Sequence, residues 1–240
     1  MSGHSKWATI KRAKGANDAK RGAVFTKLAN MIALAAKSGG SDPDMNPSLA
    51  LAITKAKAAN VPNANIDKAI KRGSGELGDT LIEEMVYEGY GPGGVAIIVE
   101  CASDNRNRTY PEVRTAFAKN GGNIAETGSV SFQFERKGVI QAMKSGNNDA
   151  DELAIIETEA DDFFDEGDQW AVHTDMKELH DVKISLEASG LKISEANLVY
   201  VPKMTVKIAE EDVQAKVMKL MDALDELDDV VETHTNFDIA

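Results

Sequence analysis

The chain has 240 residues, of which 42% are hydrophobic and 28% charged, and its formal net charge is −12. These values are ordinary for a globular protein with one large or two to three small domains. A single cysteine, Cys101, excludes an intramolecular disulfide, no apolar run approaches the ~20 residues of a membrane span, and the first residues lack the apolar core of a secretory signal. We therefore expect a cytoplasmic protein without a membrane partner.

The first 75 residues predict a basic arm followed by three short helices. Residues 2–16 have poor hydrophobic periodicity, so we expect a loosely ordered arm. Apolar residues then recur at helical spacing from Phe25 until Gly39-Gly40 end the first helix. Asn46 is the predicted cap of the second helix, and Pro47 is its first residue. Asn63 or Asn65 is the predicted cap of the third helix, which ends at Gly73. Three helices with short connections predict a small bundle.

The charge is divided unevenly along the chain. Residues 1–75 contain 13 Lys/Arg and four Asp/Glu, a net charge of +9, whereas residues 76–240 contain 14 and 35, a net charge of −21. This division predicts a basic end that faces nucleic acid and an acidic, solvated body. The candidate contacts at the basic end are His4, Lys6, Trp7, Lys11, Arg12, Lys14, Lys20, Arg21 and Lys27. Cations neutralise phosphates, and Trp7 and His4 can stack on unpaired bases. The alternative is a solvated helix with a lysine-rich face.

Residues 81–135 predict the order β-β-α-β. The predicted elements are strands over Leu81–Glu88 and Val95–Cys101, a helix over Arg106–Lys119 capped by Ser103 or Asp104, and an alternating strand over Ser129–Glu135. Gly89–Gly94 turns the chain between the first two strands. A strand, not a helix, follows this glycine loop, so it does not fit the dinucleotide-binding fingerprint.

Residues 137–203 predict β-α-β-β-α-β, the ferredoxin-like order. The predicted elements are Gly138–Met143, a helix over Asp149–Glu157 with Leu153 and Ile156 inward, Asp161–Asp165, Gln169–His173, a helix over Met176–Ser189, and Asn197–Pro202. The tail adds an extended Met204–Ile208, an amphipathic helix over Glu210–Leu227 and a strand over Val230–Asn236. This tail has no partner strands or helices nearby in the sequence, so we expect it to complete the domain of residues 81–135.

Several sequence blocks resemble the YebC/PmpR family over essentially the whole chain. The matching blocks are Gly3–Trp7, Asp18–Gly22, Phe25–Leu28, Ser103–Thr109, Gly121–Asn123 and Glu126–Gly128. The resemblance implies the same nesting, and we expect an α+β protein with an N-terminal three-helix domain and two ferredoxin-like α/β domains, one inserted into the other. The expected domains are residues 1–75, residues 76–136 with 204–240, and residues 137–203.

Arg106 and Arg108 form a second candidate site. They fall in the first turn of a predicted helix, where the macrodipole favours anions over cations. A phosphate bound between them and the free N–H groups would relieve this conflict. Alternatively, Asp104 caps the helix and pairs with one of the two arginines.

Catalytic chemistry is poorly supported. Cys101 lies at the end of an apolar strand, where a thiol is usually inert packing. His173, Asp175 and His180 have no metal-binding spacing around them, and the acidic residues 161–168 lack the ligand order of an EF-hand. We therefore expect no enzymatic activity, no cofactor, no metal and no small-molecule substrate.

The resemblance implies a regulator of gene expression that binds nucleic acid. The family is commonly described as probable transcriptional regulators, which predicts binding to promoter DNA. Its mitochondrial relative activates translation, which predicts instead a ribosome-associated factor that binds rRNA or tRNA and assists elongation. The sequence shows no clear recognition helix, and a basic arm with an aromatic residue suits structured RNA as well. A third hypothesis is a regulator that binds a small ligand through its ferredoxin-like domains. We expect a monomer or a weak homo-oligomer.

Overall fold

The computed structural model of the protein describes residues 21–78 and 82–239 and confirms the α+β class. Its helices are α1 (Arg21–Gly39), α2 (Pro47–Ala58), α3 (Asn63–Gly73), α4 (Arg106–Lys119), α5 (Asn148–Ile156), α6 (Leu179–Ala188) and α7 (Glu211–Asp225). Its strands are β1 (Glu83–Tyr90), β2 (Ala96–Ser103), β3 (Asn123–Ala125), β4 (Phe134–Met143), β5 (Asp162–Asp165), β6 (Gln169–Thr174), β7 (Lys192–Pro202), β8 (Val206–Ile208), β9 (Val230–Thr235) and β10 (Phe237–Ile239). Short 3₁₀ turns cover Pro92–Gly94 and Ser131–Gln133.

Helix α1 packs against both α2 and α3. Their shared core is rich in alanine, which lets the helices approach closely: Ile32, Ala36, Leu49, Ala52, Ala56, Val61, Ile66 and Ala69. Asn46 caps α2 as expected, because its Oδ1 accepts the Leu49 N–H at 3.1 Å and Pro47 occupies the first turn. The predicted cap of α3 is wrong. That helix begins at Asn63 itself, so the cap position falls on Pro62, whose side chain has no acceptor.

A four-stranded antiparallel sheet of order β3-β1-β2-β9 forms the centre of the larger compact unit, whose described residues are 21–78, 82–133 and 203–239. The tail of the chain contributes β9, and β8 and β10 form a separate parallel pair. Helices α4 and α7 supply one face of the core. Its buried members include Met85, Ile97, Val99, Val113, Phe117, Val217, Leu220, Leu224 and Val230.

Helix α1 docks on this sheet through a second, smaller cluster. Ala33 packs with Ile82 and Ala102, and all three side chains are fully buried. The Asn30 Nδ2 donates to the Ala102 carbonyl at 3.0 Å, and the Lys37 Nζ donates to the Ile82 carbonyl at 2.7 Å. The helical bundle is therefore attached to the α/β part of the same unit by apolar and polar contacts.

The second compact unit spans Phe134–Pro202 and has the ferredoxin-like arrangement. Its antiparallel sheet has the order β5-β6-β4-β7, in which the first strand of the unit lies between the third and the fourth. Helix α6 approaches β4 so closely that a Cβ on Gly138 would lie 2.9 Å from the Leu179 Cβ. The close approach explains the glycine in the middle of this strand.

The predicted inward face of α5 is wrong by one position. Leu153 and Ile156 are 57% and 65% exposed, whereas Ile155 and Asp151 are buried. The Asp151 carboxylate accepts the Ser145 N–H, the Ser145 hydroxyl and the indole N–H of Trp170. A carboxylate that is fully hydrogen-bonded can be buried, so an apolar pattern alone misplaces this face.

The predicted strands over Ser129–Glu135 and Gly138–Met143 are in fact one strand, β4, preceded by a 3₁₀ turn. The buried Glu88 carboxylate accepts the N–H groups of Gly128, Val130 and Ser131 at 2.8, 2.6 and 2.9 Å. These bonds draw the backbone into a turn where the alternation predicts a strand. Strands β3 and β10 have three residues each and were not predicted.

Candidate nucleic-acid interface

Most of the predicted arm contacts lie outside the described residues. These are His4, Lys6, Trp7, Lys11, Arg12, Lys14 and Lys20. Arg21 is the first residue of α1, and its side chain is likewise outside the description. The role of the arm in binding therefore stays a prediction.

Lys27 is engaged within the protein. Its Nζ donates to the carbonyl of Asp225 at the last residue of α7. The carbonyl groups at a helix C-terminus have no intrahelical partners and carry partial negative charge, so a lysine there is favourable. Together with Lys37, it fastens α1 to the α/β part of the unit. The structure thus gives Lys27 a docking role that its place in a basic stretch does not predict.

Arg108 is held by Asp229, 121 residues further along the chain. Its Nη2 lies 2.8 Å from Oδ1 of this carboxylate, and its Nε lies 3.2 Å from Oδ2. The Thr109 and Ser103 hydroxyls donate to the same carboxylate at 2.7 and 3.0 Å. The Asp229 side chain is 6% exposed, so the start of α4 is built around a buried anion.

Hydrogen bonds keep Asp229 ionised. Burial raises the pKa of its carboxyl, but the bonds from Arg108, Thr109 and Ser103 outweigh burial, and the pKa lies below its ordinary value. The same carboxylate holds the pKa of the Arg108 guanidinium above its ordinary value. An anion does bind in the first turn of this helix, as the two arginines suggest, but it belongs to the protein.

The cap of α4 is neither Ser103 nor Asp104, as the sequence predicts, but Asn105, whose Oδ1 accepts the Arg108 N–H at 3.2 Å. Asp104 lies 3.1 Å from the Nη2 of Arg72 on α3 and 3.7 Å from that of Arg108. It therefore joins the helical bundle to the start of α4 by ion pairs.

Arg106 remains exposed to solvent. Its side chain hydrogen-bonds the hydroxyl of Tyr87 at the edge of the core. The two arginines of the predicted site thus differ in their partners: Arg108 is paired with a buried carboxylate, and Arg106 is exposed and hydrogen-bonds the Tyr87 hydroxyl.

Three other cations of the bundle face solvent. Lys57 on α2 and Lys68 and Lys71 on α3 are exposed and have no ion-pair partner among residues 21–78 and 82–239. Only four residues separate α2 from α3, and Asn63 and Asn65 are exposed in the first turn of α3. These residues are not among the contacts predicted from the sequence, although the lysines and asparagines of α3 lie on its polar side.

Cys101, His173 and the glycine-rich loop are the remaining candidates from the sequence. Burial raises the pKa of the Cys101 thiol to about 12, so this thiol stays protonated. Burial lowers the pKa of His173 to about 4. Within the described ranges, no cluster of His, Cys, Asp and Glu has the arrangement of a metal site. Gly93 in the glycine-rich loop has φ +74°, and a Cβ there would lie 2.7 Å from the Ile208 Cδ1, so this loop serves turn geometry and packing.

None of the helices described here is long and apolar enough to cross a membrane.

Comparisons with known proteins place the chain. Residues 5–76 match the model of the TACO1/YebC protein N-terminal domain, and residues 82–237 match that of the TACO1/YebC second and third domain. A relative from Halothermothrix orenii is 49% identical over 100% of this chain and 96% of its own length, and one from Persephonella marina is 50% identical over 100% and 97%. Both are named "Probable transcriptional regulatory protein".

A solved structure agrees with the sequence matches. The crystal structure of the conserved hypothetical protein Aq1575 from Aquifex aeolicus superposes with a TM-score of 0.86 at 45% identity, covering 93% of this chain and 92% of that one. Both family models and relatives of nearly equal length support one assignment. The chain belongs to the TACO1/YebC family.

Proposed function

We propose that the protein is a cytoplasmic regulator of gene expression that binds nucleic acid, and in the first place a DNA-binding transcriptional regulator. The observation that carries this proposal is the division of charge, +9 in residues 1–75 against −21 in residues 76–240. Lys57, Lys68 and Lys71 agree with it, because they are exposed and free of ion pairs within the described part of the chain. Unpaired cations on one domain are the electrostatic footprint of a phosphate-binding surface.

The connection between α2 and α3 favours a duplex partner. Two helices joined by a turn of three to four residues are the core of helix-turn-helix proteins, in which the N-terminal residues of the second helix reach base edges. Asn63 and Asn65 occupy that place on α3. An asparagine amide can make two hydrogen bonds to adenine in the major groove. Lys68 and Lys71 lie further along the helix, where contacts to phosphate orient the protein.

A second candidate function is assistance of translation by binding rRNA or tRNA on the ribosome. The observation that favours it is Tyr110, an exposed aromatic ring on the same helix as Arg114 and Lys119, two exposed cations with no ion-pair partner within residues 21–78 and 82–239. Stacking on aromatic rings is the usual way in which proteins hold unpaired bases of RNA. In either case the protein acts by binding, and no catalytic step or cofactor is part of the proposal.

Neutralising the arm tests the proposal. In the test variant, glutamine replaces Lys11, Arg12, Lys14, Lys20 and Arg21. In the control variant, glutamine replaces five exposed lysines of the acidic body, Lys177, Lys192, Lys207, Lys216 and Lys219. Both variants lose five positive charges, so overall charge alone cannot separate them.

We expect the arm variant to lose binding to both duplex DNA and folded RNA in fluorescence anisotropy, because counterion release from phosphates supplies most of the affinity. The control variant is expected to bind within about threefold of the wild type and to keep its thermal transition, because its five lysines are exposed. The thermal transition of the arm variant is recorded as well, so that a loss of binding is separated from unfolding. Equal loss in both variants would refute a specific role for the arm.

A further inference from the structure

The solvent side of α4 carries an open groove with a volume of about 440 Å³. The residues described along it all come from this helix: Tyr110, Pro111, Arg114, Thr115, Ala118 and Lys119. At 3.6 residues per turn they share one side of α4. Val113, Ala116 and Phe117 occupy the opposite side and are buried in the core. The core packing of the opposite side therefore holds in place the helix that carries the groove.

Tyr110 is a fixed aromatic platform at one end of this groove. Its side chain is 40% exposed, and its ring centroid lies 5.8 Å from that of Tyr87 at an interplanar angle of 51°. Tyr87 is buried, and its hydroxyl donates to the Met85 sulfur at 3.4 Å. Because one ring holds the other in place, a base that stacks on Tyr110 would order little additional side chain.

The cations of the groove are available to a ligand. Arg114 and Lys119 are exposed, and neither has an ion-pair partner in the parts of the chain that the structure describes. Arg106, one turn before Tyr110, adds a third exposed cation on the same helix. Helix α4 carries four basic residues, of which Asp229 neutralises Arg108, and one acidic residue, Glu112, although it lies in the part of the chain with net charge −21. A basic face kept in an acidic body indicates a polyanionic partner.

The Thr115 hydroxyl lines the groove and the Asn107 carbonyl lies one turn before Pro111 on the same helix, and both oxygens are suited to a sugar hydroxyl. Pro111 has no N–H to donate to the Asn107 carbonyl one turn back, which leaves an acceptor on this side of the helix. The Thr115 hydroxyl, one turn after Pro111, can both donate and accept. Groups of this kind distinguish RNA from DNA by contacting the 2′-hydroxyl.

We propose that this groove binds a single-stranded segment of RNA. Tyr110 stacks on one unpaired base, Arg114 and Lys119 contact the phosphates of the nucleotides that continue along the helix from that base, and the Asn107 carbonyl and Thr115 hydroxyl contact ribose. The inference rests on the proposed function in that the protein binds nucleic acid, and it adds a contact surface outside the basic helical domain.

The test measures anisotropy of fluorescent 12-nucleotide oligo(U) and oligo(dT) with the full chain over a salt series. One variant is Tyr110→Leu, which keeps apolar packing against Tyr87 but removes the stacking ring. The other is Arg114→Gln/Lys119→Gln, and its matched control is Lys207→Gln/Lys216→Gln, which makes the same charge change elsewhere on the body. Thermal unfolding of each variant accompanies the titrations.

We expect Tyr110→Leu to weaken oligo(U) binding at least about fivefold, since stacking on one aromatic side chain is worth that much or more. Arg114→Gln/Lys119→Gln should reduce the slope of log K against log salt by about 1.4, the value for two phosphate contacts on a single strand. The control variant should retain the wild-type slope, and oligo(dT) should bind more weakly than oligo(U).

Unchanged oligo(U) affinity and slope in folded groove variants would overturn the inference. The proposed function would survive that result if the wild type still binds duplex DNA or ribosomes. Equal or tighter binding of oligo(dT) would overturn the assignment of RNA. A wild type that binds no nucleic acid at all would instead refute the proposed function together with the inference.

Discussion

Arg108 gives the sharpest prediction, because its sequence context suggests a phosphate ligand and its contacts suggest a structural residue. Arg108→Ala leaves Asp229 buried with hydrogen bonds only from Ser103 and Thr109. Removing one member of a buried ion pair costs about 3–5 kcal/mol. The Arg108 side chain is 49% exposed, so solvent screening reduces that cost, and we expect a loss of about 2 kcal/mol in the free energy of unfolding.

A loss of this size corresponds to a decrease in Tm of about 4–8 °C for a unit of this size. The assay is urea denaturation at pH 7 on Arg108→Ala, on the matched variant Arg106→Ala and on the wild type. Arg106→Ala should lie within about 0.5 kcal/mol of the wild type, because Arg106 is exposed.

A double-mutant cycle with Asp229→Asn completes the experiment. Once Asp229 is neutral, the further change Arg108→Ala should cost much less than it does in the wild type, because the charge it compensates is gone. If Arg108→Ala unfolds like the wild type and loses affinity for nucleic acid, then the structural role is refuted and the phosphate site is restored.

Three further predictions address packing and titration. Gly73→Ala should destabilise the bundle by more than about 2 kcal/mol, because its Cβ would lie 2.1 Å from the Ala33 carbonyl oxygen of α1. In the control Gly22→Ala the new Cβ has no atom within 4 Å, so this variant should not be destabilised. Equal urea midpoints for the two variants would contradict this prediction. Ile155→Ala should cost about 2–5 kcal/mol and Ile156→Ala less than about 0.5, and the reverse order would return the inward face of α5 to the position predicted from sequence. Burial lowers the pKa of His173 to about 4, below its value near 6.5 in the unfolded chain, so the unfolded chain binds the proton more tightly. Stability present above pH 6.5 should therefore fall by roughly 3 kcal/mol toward pH 4, and His173→Gln should flatten this part of the pH profile; an unchanged profile would show that another group titrates.

Local patterns predict the elements well where local chemistry decides them. Asn46 and Pro47 start α2 as expected because capping depends on neighbouring residues only. The ferredoxin-like order of residues 134–202 follows from the alternation of apolar strands and helices. Periodicity fails at Asp151, because its burial depends on hydrogen bonds that hydrophobicity does not encode.

The candidate site was harder to predict for a similar reason. Whether a cation is free to meet a phosphate depends on partners that are distant in sequence. Asp229 holds Arg108 across 121 residues, and the Asp225 carbonyl holds Lys27 across 198. Only the fold distinguishes these engaged cations from exposed ones such as Lys68 and Arg114. Charge clustering therefore identifies the basic end of the chain, but it does not show which cations pair within the protein and which are exposed.

The central claim, binding of nucleic acid through the basic end, is tested most directly by sedimentation with ribosomes over a salt series with duplex DNA as competitor. We expect the wild type to bind at low salt, its affinity to fall as a power of the salt concentration, and the arm variant to stay in the supernatant. Release by duplex DNA at low salt would favour the transcriptional role, and retention against DNA would favour the ribosome. Binding that depends on neither the salt concentration nor the arm substitutions, or no binding to either polymer, would contradict the claim that the basic end binds nucleic acid.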